Sequence, residues 1–76
     1  MELTQQDADK ISAFNELLHQ QFGQHIRQLG YKDYRDKNYD MWCIEYRWQI
    51  GMAVFVLFVN TNMQHEDWRY GWYREM

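Results

Sequence analysis

Eight consecutive residues, Met52-Ala53-Val54-Phe55-Val56-Leu57-Phe58-Val59, carry no polar side chain, and three of them are β-branched valines. A run of that length is a strand covered on both faces or a buried piece of helix; the flanking Gly51 and Asn60 favour the strand. Left on an open sheet edge it would template aggregation, so it belongs between two other strands. The continuous apolar stretch from Ile50 to Val59 is also about half of what a membrane-spanning helix needs.

The flanking segments supply the neighbours. Trp42, Ile44, Tyr46, Trp48 and Ile50 alternate with Cys43, Glu45, Arg47 and Gln49, which predicts a half-buried strand over 41–49. Gly51 then breaks the pattern as a turn or bulge residue. Asn60-Thr61-Asn62 reads as the next turn, and Trp68, Tyr70 and Trp72 alternate again, which predicts a strand over 67–74. Trp68 and Trp72 are also four apart, so a C-terminal helix is the competing reading of that tail.

Upstream, Ile11, Phe14, Leu18, Phe22, Ile26 and Leu29 follow helical spacing and predict one amphipathic helix over 5–29. Thr4 is its N-cap, with Asp7 three residues on in the place of a capping-box carboxylate. Gly30 stands where a left-handed residue would close such a helix, and Gly23 inside it suggests close packing on the sheet. Residues 30–40 are polar and charge-balanced, a connection with a turn at Asp36–Asn38 and room for a short strand near Gly30–Tyr34. The fold class expected is therefore α+β in a single domain, 1–76: a long N-terminal helix on a three-stranded antiparallel meander (α-β-β-β), with α-β-β-α as the alternative.

This architecture implies an interaction role. One helix covers one face of a sheet, the outer strands offer one apolar face each, and the 52–59 strand offers two. Its second face would be an apolar stripe with a charged rim, and monomers seldom leave one exposed unless it is used. The residues expected at such an interface are Arg47, Phe55, Leu57, Val59, Arg69 and Tyr73. Trp, Tyr, Phe, Met and Arg are enriched in interface patches, and a second copy is the simplest partner because two-fold dimers dominate. Loops or rim side chains folding over the stripe would be the unremarkable alternative.

Other chemistries find little support. The formal charge is −3 in 76 residues, which disfavours general nucleic-acid or anionic-membrane binding. Tyr46-Arg47-Trp48 and Trp68-Arg69-Tyr70 nonetheless leave a single-stranded nucleic-acid module as the alternative function. Cys43 is the only cysteine, so no intrachain disulfide or multi-cysteine metal site is possible, and a lone cysteine on a strand reads as a packing residue. His19 and His25 are not on one helix face, and His65-Glu66-Asp67 reads as a polar turn. Asp33, Asp36 and Asp40 lack the glycine and terminal glutamate of a calcium loop. No phosphate loop or nucleophile motif is present, so the reading is a non-enzyme with no cofactor and no metal. The opening residues have neither a basic nor an apolar leader segment, which makes the cytoplasm the expected compartment. Small acidic chains of this kind commonly serve bacteria, phages or plasmids as accessory or inhibitory factors.

Overall fold

The computed structural model describes residues 3–23, 25–37 and 41–75. In chain order it has α1 (Gln5–Phe22), β1 (Ile26–Asp36), β2 (Met41–Ile50), β3 (Ala53–Asn60), a single helical turn α2 (Glu66–Arg69) and β4 (Tyr70–Glu75). The strands form one antiparallel sheet in the order β1-β2-β3-β4. The α+β class holds, but the sheet has four strands rather than three. The apolar run lies inside the sheet, shifted by one residue, so that Met52 sits in the β2–β3 turn and is 95% exposed.

The helix begins as its sequence dictates. Thr4 Oγ1 accepts from the Asp7 backbone N–H at 3.1 Å, and Asp7 Oδ2 accepts from the Thr4 N–H at 2.9 Å. It ends earlier than the apolar spacing implies. Gly23 adopts φ +66°, its N–H bonds to the His19 carbonyl, and nothing lies within 4 Å of where its Cβ would be. Gly23 is therefore the helix stop, a backbone conformation that costs glycine little, and not a close-packing site. The expected helix over 5–29 and connection over 30–40 give way to an 18-residue helix and an 11-residue strand. Ile26 pairs with Ile50 instead of extending the helical stripe, and Gly30 sits at a shift in register between Gln28 and Gly30 rather than at a helix cap. Lys37 is in a turn; Gln24, Asn38 and Asp40 lie outside the described residues.

The tail is a strand, as alternation indicated, preceded by the α2 turn that retains part of the helical alternative. The core lies between α1 and the sheet: Leu18, Trp48 and Leu57 are buried together, with Ile11, Phe14, Ile26, Tyr46, Ile50 and Phe55 packed around them. The Trp48 indole N–H donates to Asn15 Oδ1 at 3.0 Å, satisfying the one polar atom of a fully buried ring. Ala53, Phe55, Leu57 and Val59 thus face the helix, and Val54, Val56 and Phe58 face away.

On the far side, Phe58 lies over Gly71, its partner across β3–β4, with ring atoms standing where a Cβ would be. Gly71→Ala is expected to displace that ring and cost about 1–3 kcal/mol by overpacking, read as a lowered urea midpoint with an unchanged m-value. An unchanged midpoint would show that Phe58 moves without penalty.

Candidate interaction surface

The far face of the sheet is sealed by its own side chains. Val56 is fully buried and Cys43 is 3% exposed, although no helix covers them. The cover is a polar layer centred on Glu45, itself buried on β2. Its carboxylate accepts from the Tyr34 hydroxyl at 3.2 Å and the Tyr73 hydroxyl at 3.5 Å, and it pairs with the Arg47 guanidinium at 2.9 Å. Arg47 also reaches Glu75 at 3.5 Å. A hydrogen bond with Cys43, burial and the neighbouring Glu45 charge hold the Tyr34 phenol above its usual range. Burial and the same carboxylate push Tyr73 upward. These phenols are donors at neutral pH, which suits them to hydrogen-bond a carboxylate. Beside the layer, Leu29, Gly30, Tyr31, Lys32, Arg47 and Glu75 line a shallow trough of about 370 Å³. The apolar stripe expected on this face is therefore covered by tyrosine, arginine and phenylalanine from the same chain.

The uncovered apolar surface is on the other side. Phe14 touches Trp48 on β2 at 5.2 Å between ring centroids and Trp72 on β4 at 6.0 Å. Trp48 and Trp72 flank β3, so α1 runs above β3. The β4 side of the helix face remains open, because an 18-residue helix crosses the sheet once and then stops. There Phe14, Leu17, Leu18, Gln21, Phe22, Phe55 and Trp72 line a groove of about 340 Å³. Leu17 is 49%, Phe22 41% and Trp72 60% exposed. Phe22 and Trp72 both pack on Phe55, at 5.7 and 6.2 Å, which fixes the rings as walls of one concavity.

Charge pairing anchors one end of this groove. Asp7 is fully buried, and both its oxygens take the Arg69 guanidinium, at 2.7 and 2.6 Å. The Tyr70 hydroxyl donates to Asp7 Oδ1 at 2.5 Å, and Arg69 also donates to the Thr61 and Met63 carbonyls. The first turn of α1 is thereby tied to the start of β4, 62 residues away. Lys10 adds an exposed bridge to Glu66 and sits over the Tyr70 ring.

The six residues expected at an interface are divided among these settings. Arg47 and Tyr73 belong to the polar layer of the far face. Phe55 lines the groove, while Leu57 and Val59 are buried, so the set expected to face a partner is the set that faces the helix. Arg69 anchors Asp7. Sequence reasoning missed Leu17, Phe22 and Trp72 as surface residues; a helix ended at Gly23 would have exposed them.

Among the described residues no three His, Cys, Asp or Glu side chains converge as a metal site, and none of the helices is long and apolar enough to cross a membrane. His25 is exposed ahead of β1, and His65 Nδ1 accepts from the Asp67 N–H at the head of α2. Compared with protein-family models, curated proteins and solved structures, the chain matches none.

Proposed function

We propose that this protein is a small interaction module that acts by binding another polypeptide, without chemistry of its own. One observation carries the reading: Leu17, Phe22, Phe55 and Trp72 form an apolar concavity that stays open beside a sheet edge. Exposed aromatic anchors around a pre-formed groove are the usual material of binding hot spots, and a contiguous apolar patch on a small domain is seldom left without use. The rim is only weakly charged, with Gln21 as the polar wall. That favours a protein surface over a phosphate backbone, which would call for a basic lining. An accessory or inhibitory role fits a chain whose only action is to occupy a partner's surface, and a homodimer is its simplest form.

A photo-crosslinking amino acid at position 17, introduced in the cell that makes the protein, tests this. Leu17 is half exposed, so the substitution leaves the core intact. The expected result is a defined polypeptide adduct from position 17 and none from Glu16 on the outer helix face. An adduct from neither position, or an equal yield from both, would overturn the reading.

A further inference from the structure

Resting on that binding role, we infer that the partner is a second copy of this chain, joined antiparallel along β4 with Tyr73 on the two-fold axis. The two sheet edges differ in what they permit. β1 is guarded by Arg27, Lys32, Asp33 and Arg35 and by the register shift at Gly30, features that blunt edge pairing. β4 is short, Tyr70-Gly71-Trp72-Tyr73-Arg74-Glu75, and residues 72–75 are exposed. Aromatic residues dominate it, with one charge of each sign at its end.

Pairing this strand with itself restricts the register. A two-fold axis normal to the sheet passes between a residue and its own copy, so the axis falls at Trp72 or at Tyr73 for the greatest overlap. The first register lays Arg74 opposite Tyr70 of the other copy, whose ring already has Lys10 at 5.5 Å and Arg69 at 5.9 Å. That ring is already flanked by two cations, each paired with its own carboxylate, Glu66 and Asp7, so Arg74 gains little there. The second lays each Arg74 opposite the other copy's Trp72 on the helix side, giving two reciprocal cation–π pairs. It also sets Tyr73 against Tyr73 on the far side and places Glu75 opposite Gly71, beside the Phe58 ring that lies over it. Only this register sets Arg74 against a ring other than the one that Lys10 and Arg69 already flank.

The same arrangement explains the open groove. Because α1 runs above β3, the two helices would stand three strand spacings apart, roughly 14 Å. That is wider than direct helix contact, about 8–10 Å. The trench between them would be filled by the residues that are exposed in one copy: Trp72 at its floor, and Leu17 and Phe22 along its walls. One occupant accounts for both the unpaired edge and the unpartnered apolar groove. An interface of this extent sits at the small end for specific complexes, so association in the micromolar range is expected.

Sedimentation equilibrium of the full chain up to several hundred micromolar should give a dimer, and Arg74→Glu should weaken it by at least about tenfold. Tyr73→Cys provides the register test, since directly opposed residues lie within disulfide reach and diagonal ones do not. Cys43 is buried and serves as the silent background thiol. Mild oxidation should convert Tyr73→Cys to a covalent dimer and leave Trp72→Cys largely uncrosslinked. A monomer throughout, or a dimer that crosslinks only through position 72 or through neither, overturns the inference. A position-17 adduct to a different protein would still leave the binding role standing.

Discussion

Asp7→Ala should destabilise the protein by about 3–5 kcal/mol at pH 7, the largest effect expected from any exchange outside the hydrophobic core. Removing one partner of a buried ion pair leaves the other charged and unpaired. Here Arg69, with 12% of its side chain exposed, would lose its one carboxylate partner among the described residues and keep two carbonyls. The Tyr70 hydroxyl and the Thr4 N–H would also lose their acceptor. A domain of this size is stabilised by only about 4–11 kcal/mol in total, so the variant would populate unfolded states at room temperature. The effect carries a pH signature. Hydrogen bonds from Arg69 hold the Asp7 carboxyl well below its usual range; burial opposes them, and bonds from Tyr70 and the Thr4 backbone add to them. A carboxyl with a lowered folded pKa contributes its full stability above the unfolded value, near 4, and loses it as pH falls below that. The gap between wild type and Asp7→Ala, measured by urea titration, should be widest at neutral pH and narrow steadily below pH 4. A gap of equal size at pH 3 and pH 7 would show that Asp7 acts through packing or capping alone.

That network also marks the limit of what could be read from the chain. The capping box was legible because Thr4 and Asp7 are three residues apart and the rule that joins them is local. The link from Asp7 to Arg69 spans 62 positions and leaves no periodic trace. The interior strands were legible for a related reason. Period-two alternation over 42–50 and an unbroken apolar run over 53–59 admit few placements.

The helix end was misread because Ile26 and Leu29 fall by coincidence on the helical spacing, although their segment is a strand. The shift between Gln28 and Gly30 adds a residue to β1, so the alternation of Ile26 and Gln28 continues out of phase as Tyr31 and Asp33. A single inserted residue exchanges the faces of everything beyond it. With residues 26–29 moved from helix to strand, the sheet gains an edge and the helix loses the length to cover β4. The count of faces put an apolar surplus on the far side, where Val56 and Cys43 are in fact buried; the open apolar surface arises instead on the helix side, from the early end of α1. Long tyrosines and an arginine–glutamate pair cover the far side, and nothing in period or spacing announces that Tyr34, Glu45 and Tyr73 will meet.

The asymmetry between the faces leads to the sharpest contrast among core exchanges. Leu57 and Phe58 are adjacent on β3, yet Leu57→Lys should abolish folding while Phe58→Lys should not. Leu57 is 5% exposed among Leu18, Trp48 and the helix face. A lysine there buries an ammonium with no carboxylate beside it, at a cost of several kcal/mol, on top of the lost hydrocarbon packing of about 2–5 kcal/mol. The sum approaches the whole stability of a domain this small. Phe58 lies on the other side of the sheet, half-buried and directly opposite Glu45. A lysine at 58 can lay its hydrocarbon stem over Gly71 and direct its charge to the Glu45 carboxylate or to water. Its cost should stay within about 1–2 kcal/mol, the part of the ring's burial that a lysine stem does not replace. Far-ultraviolet circular dichroism and urea unfolding separate the outcomes: a cooperative transition is expected for Phe58→Lys and none for Leu57→Lys. Equal tolerance of the two would mean that the helix does not seal its face of β3, and the groove beside Trp72 would then be one part of a wholly open surface.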